Sequence, residues 1–125
     1  MPPPILYIAG PYRDPRGPWF IERNIEAARK TSVELAQLGL GFICPHANSA
    51  MMDGAAPDSF WLEMDLELLR RSDGVLLLPG WENSSGASAE AKLARKQGLP
   101  VYFWPEDKMV LEKLARTQDP SLAPV

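Results

Sequence analysis

Cys44 is the only cysteine in the chain and His46 the only histidine, and each scarcity removes a class of chemistry. A lone thiol builds neither an intrachain disulfide framework nor a thiolate metal site, and one imidazole does not supply a zinc centre made of several. Neither a metal nor a cofactor is expected. Basic charge is short as well: 13 Lys and Arg stand against 16 Asp and Glu, giving a formal charge of -3 and a sequence pI near 5.1. That balance argues against a nucleic-acid polymer held along its phosphates, while a small anion in a local pocket stays open. No apolar run approaches the length of a membrane span. The opening Met1-Pro2-Pro3-Pro4 has neither the basic region nor the length of a signal peptide. A cytoplasmic protein without a membrane partner is the expectation.

What is present fits one domain. At 125 residues, with 46% hydrophobic and 23% charged side chains, the chain suffices for one real core and is too short for two. Ile5-Leu6-Tyr7-Ile8-Ala9, closed by Gly10-Pro11, reads as a strand buried on both faces. A loop over 11–19 follows, then a helix from about Trp19 whose spacing of Ile21, Ile25, Ala28, Leu35 and Leu38 is helical, ended by Gly39 and Gly41. Phe42-Ile43-Cys44 is a short strand stopped by Pro45. The next dozen residues, with His46, Asn48, Met51, Met52 and Asp53, read as a long loop. Asp58 is read as the N-cap of a helix to about Arg71. A strand over 74–78, a loop and helix built on the stretch Asn83 to Glu90 and stopped by Gly98, a strand over 101–104 and a helix over 107–116 complete the core, with an irregular tail over 117–125.

Strand and helix alternate throughout, which predicts a doubly wound α/β domain. It has about four parallel strands in the order 2-1-3-4, helices on both faces, and a core over roughly 5–116. Ligands of such sheets bind at the carboxyl ends of the strands where the winding reverses. Two loops meet there, Gly10 to Arg16 and Pro79 to Gly86.

Two carboxylates are out of place. On a wheel of about 100° per residue, Glu90 falls among Ala87, Ala89, Ala91, Leu93 and Ala94. Asp65 likewise falls at the centre of an arc of Trp61, Leu62, Met64, Leu66, Leu68 and Leu69. An unpaired buried carboxylate is costly. Each acid is therefore a paired or capping core residue or part of a site, and two on different helices aimed at one sheet edge favour the site. Carboxylates in unlike environments are what glycosidic cleavage uses, one as nucleophile and one as proton donor. Tyr7, in an otherwise aliphatic strand, either fills core volume or reaches Glu90. The turns Gly10-Pro11-Tyr12-Arg13 and Ser84-Ser85-Gly86 carry backbone N–H groups, hydroxyls and an arginine suited to one phosphate. No established phosphate-loop motif is present. Arg13 and Arg16 are otherwise solvated loop residues. His46 is placed to contact a ligand from the far side of the cleft, and Trp19, Trp61 and Trp81 are packing residues or a base-stacking surface.

Three blocks of sequence resemble a known family. Leu6-Tyr7-Ile8-Ala9-Gly10-Pro11 forms the first. Met64-Asp65-Leu66 with Arg71-Ser72-Asp73-Gly74-Val75 forms the second, and Gly86-Ala87-Ser88-Ala89-Glu90 with Gly98-Leu99-Pro100-Val101 the third. In order and spacing they are similar to the nucleoside 2-deoxyribosyltransferase superfamily over roughly residues 5–104. The Tyr-Ile-Ala-Gly-Pro opening resembles its small DUF4406 branch. The resemblance implies a flavodoxin-like sheet and covalent chemistry at C1′ of a nucleoside or nucleotide, with Glu90 as nucleophile, Asp65 as the family's aspartate and Tyr7 as its strand-one tyrosine. In the branch that hydrolyses deoxynucleoside 5′-monophosphates, the phosphate positions fall on Gly10 to Arg13 and on Ser84. It further implies a homodimer or larger assembly. Hydrolysis of a (deoxy)nucleoside 5′-monophosphate is the expectation; base exchange by a transferase and a non-catalytic nucleotide sensor are the alternatives.

Overall fold

The structure is a computed structural model and describes residues 3–49, 52 and 54–118. Strand β1 is Ile5–Ala9, β2 Gly41–Ile43, β3 Gly74–Leu77 and β4 Val101–Phe103; they form one parallel sheet in the order β2-β1-β3-β4. The helices are α1 Pro18–Leu38, α2 Pro45–Asn48, α3 Asp58–Arg70, α4 Ser85–Lys96 and α5 Lys108–Gln118. Among the described residues, no helix is long and apolar enough to cross a membrane.

Alternation along the central strands explains their unbroken apolar runs. Leu6 and Ile8 of β1, with Leu76 and Leu78, face a core shared with Ala28 and Leu35 of α1 and Leu111 and Ala115 of α5. Tyr7, Ala9, Val75 and Leu77 face the opposite core, which holds Leu69 of α3 and Ala91 and Ala94 of α4. Both faces of the sheet are therefore dry, as parallel sheets require, and the expected doubly wound α/β fold is the observed one. Tyr7 emerges on the face covered by α3 and α4, the helices that carry Asp65 and Glu90.

Local chemistry sets the ends of the elements. Pro18 opens α1, and Gly39 closes it in the left-handed region at φ 90° with its N–H on the Ala36 carbonyl at 3.0 Å. Ser84 caps α4 through its Oγ, which accepts from Ala87 N at 3.2 Å.

Several expectations are corrected. The segment after β2 is not simply a loop, because Pro45 starts the short helix α2, to which His46 belongs. Asp58 does not cap α3: Pro57 holds the N-cap position without a side-chain bond, and Asp58 is the first helical residue. The wheels overstated two apolar arcs, since Leu62 is exposed, as is Ala89. The last helix runs past Arg116 to Gln118. Met51, Asp53 and residues 119–125 of the expected tail lie outside the described residues.

Candidate active site

The carboxyl end of β1 stops at Gly10 because nothing larger fits: a Cβ there would lie 2.9 Å from the Cβ of Leu78. The turn that follows is held from two sides. His46 Nε2 donates to the Pro11 carbonyl at 2.8 Å, and Asn24 Nδ2 donates to the Tyr12 carbonyl at 3.1 Å. On the other side of the reversal point, a 3₁₀ turn over Trp81–Asn83 leads into α4. Ser88 Oγ donates to the Trp81 carbonyl at 3.2 Å and ties that turn to the helix. Between these two walls, with α2 and the first turns of α3 on the far side, lies a cleft of about 470 Å³.

Of the residues singled out in the sequence, Gly10, Tyr12, Arg13, His46, Asp65, Ser84, Gly86 and Glu90 line this cleft. Tyr7 lies beneath it, fully buried, and Pro11 serves as the acceptor for His46 rather than as wall. Arg16 is elsewhere, paired with Asp14 at 2.7 Å and laid over the Phe20 ring. Trp19 is exposed, and Trp81 packs against Phe103.

Glu90 is inward because α4 presses a narrow face of small residues, Ala87, Ala91 and Ala94, onto the sheet, and position 90 belongs to that face. The Tyr7 hydroxyl donates to Glu90 Oε2. Burial raises the Glu90 pKa to about 7, with the bond from Tyr7 opposing and the nearby Asp65 charge adding to the rise. Asp65 is pushed up to about 6 by burial. The Tyr7 hydroxyl is driven well above its ordinary value, first by burial and then by Glu90, so it stays protonated and remains a donor. A tyrosine and two carboxylates thus meet at one site, where burial holds both carboxyl groups above the ordinary carboxylate range.

His46 is buried and its pKa is lowered by that burial, so the ring is neutral at pH 7. With Nε2 donating to Pro11, Nδ1 is left as an acceptor. Arg13 sits at the rim, exposed, with Nη2 at 3.4 Å from Asp58 Oδ1. Gly86, at the start of α4, differs from Gly10: a Cβ there would meet nothing nearer than Ser84 Oγ at 4.0 Å. The fold does not demand a glycine at 86, and its absent side chain leaves open space beside the start of α4.

Sequence reading missed Trp61 as a polar wall residue. It lies one turn before Asp65 on the same face of α3, which is the signal that places it. Among the described residues, three buried side-chain polar atoms have no hydrogen-bond partner: His46 Nδ1, Trp61 Nε1 and Asp65 Oδ1. All three belong to residues that line this cleft. Buried polar atoms are usually paired with protein or water in folded proteins, and these three gather in one cleft.

No curated protein matches the chain. The family described as "Domain of unknown function (DUF4406)" matches residues 4–103. That span holds β1 through β4 and with them Tyr7, Asp65, Glu90 and both walls of the cleft. The chain therefore belongs to the DUF4406 family.

Proposed function

We propose that this cleft hydrolyses the N-glycosidic bond of a (deoxy)nucleoside 5′-monophosphate, as the resemblance to the nucleoside 2-deoxyribosyltransferase superfamily implies. One observation carries the reading: a fully buried tyrosine donates to Glu90, and a second acid, Asp65, faces the same cleft from another helix. In the first step a Glu90 carboxylate oxygen bonds to C1′ as the bond from C1′ to the base nitrogen breaks. The base takes the bonding pair, and Asp65 supplies the proton. In the second step water attacks C1′, the glycosyl ester breaks back to the Glu90 carboxylate, and the water's proton returns to Asp65. The product is the sugar phosphate with retained configuration at C1′.

Tyr7 acts through Glu90 by steering the oxygen and favouring its ionised form. The phosphate sits against the start of α4, where Ser84, Ser85 and Gly86 stand, with Arg13 at the rim. Ser84 accepts from Ala87 N, so its hydroxyl proton is what it offers a phosphate oxygen. A homodimer or larger assembly belongs to the same reading, as the resemblance implies, and exposed Leu62 adds an apolar side chain to the cleft lining.

The test is incubation with ribo- and deoxynucleosides and their 5′-monophosphates, with free base followed by chromatography. Base released from monophosphates alone supports the hydrolase. Base exchange that requires an added acceptor base identifies a transferase, and tight binding without release identifies a sensor.

A further inference from the structure

Resting on that reading, we infer that Trp61 selects the leaving base, its indole N–H holding a carbonyl oxygen on the base and rejecting an exocyclic amine at the same place. Trp61 Nε1 is buried without a hydrogen-bond partner, and the residue lines the cleft. An indole N–H only donates, so whatever meets it must accept. The ring packs edge-to-face against Phe60, with centroids 5.2 Å apart. Asp65 lies one helical turn further along the same face and also lines the cleft.

Asp65 acts on the departing base in the proposed chemistry, and its neighbour one turn away addresses that same base. The atom that takes the proton belongs to Asp65, and the substituent beside it is left to Trp61. A carbonyl there satisfies the orphaned N–H. An amine sets donor against donor and leaves both groups buried without partners, the arrangement that gives strong discrimination by polar sites. His46 adds an acceptor of fixed identity, since Nε2 is committed to Pro11, and it suits a ring N–H next to such a carbonyl.

The experiment compares matched pairs that differ by one carbonyl-for-amine exchange: deoxyinosine against deoxyadenosine monophosphate, and deoxyuridine against deoxycytidine monophosphate. Wild-type kcat/KM should favour the carbonyl member of at least one pair by about tenfold or more. Trp61→Phe keeps the ring and removes the N–H; the preference should collapse toward unity, chiefly through loss on the carbonyl member. Trp61→His, which restores a ring N–H, should recover part of it. A preference unchanged in Trp61→Phe, or a wild type that favours the amine member of both pairs, overturns the inference and leaves the hydrolase reading standing. A wild type that releases base from none of the four and from no other monophosphate of the panel above overturns both. Thermal melting of Trp61→Phe near that of wild type separates lost selection from lost fold.

Discussion

The hydroxyl of Tyr7, on the central strand, donates to the carboxylate of Glu90, on a helix 83 residues further along the chain. The bond places a hydroxyl that burial keeps protonated beside the carboxylate that attacks in the proposed reaction. Tyr7→Phe removes the donor and keeps the ring. Because the bond from Tyr7 lowers the Glu90 pKa, its loss raises that pKa further. A pH–rate profile should show the acidic limb moved upward by about one unit, with kcat/KM down roughly 10- to 100-fold at pH 7 and the deficit smaller at pH 8.5.

Asp65→Asn tests the proton donor. With Asp65 near pKa 6 and Glu90 near 7, the form that reacts, Glu90 ionised and Asp65 protonated, is the minor of the two singly protonated forms, and its population still traces a narrow bell between those values. The asparagine variant should lose about 10²- to 10⁴-fold in kcat and also lose the alkaline limb, its residual rate rising to a plateau. A retained alkaline limb would assign the acid to another group.

Glu90 also makes stability depend on pH. Its folded pKa of about 7 lies above the ordinary 4.5, so between those values the folded chain holds a proton that the unfolded chain releases. Stability from this group is full below about pH 4.5, declines as pH rises and is flat above about 7. Glu90→Gln removes the decline. Urea melts at pH 5 and pH 8 should show the variant gaining on wild type at pH 8 by about 1–3 kcal/mol, while turnover is abolished. Equal wild-type and variant slopes would remove the buried charge from the account.

Gly86→Ala separates ligand from fold. Open space surrounds the position, and alanine is the better helix former by about 1 kcal/mol in a helix interior, so melting temperature should hold or rise slightly. Affinity for a 5′-monophosphate, measured by calorimetry, should fall by about tenfold or more as the methyl group meets the phosphate, while affinity for the free nucleoside changes little. A parallel loss for both ligands would place the phosphate elsewhere.

Much of this arrangement is legible in the sequence because it depends on periodicity. The unbroken apolar runs of β1 and β3 announce a sheet covered on both faces, and an acid on an apolar helical face announces itself against that background. His46 was harder to read: Pro45 looks like a stop, yet a proline is also a good first helical residue, and four residues of helix leave too little pattern to detect. Asp58 was misread because acids favour both the cap and the first turn. Trp61 was read by size, although its nitrogen is what distinguishes it in the structure. Hydrogen bonds that join distant segments, such as His46 to Pro11, have no local signature at all.

The close approach of Gly10 to Leu78 has a consequence for how this scaffold can diversify. The floor of the cleft admits no side chain, so substitution there cannot be used to retune the ligand without separating the two central strands. New specificity is better sought on α3 and the start of α4, where Trp61 and Gly86 stand. Libraries built to redirect this protein belong on those two walls, with the strand-end glycine left alone.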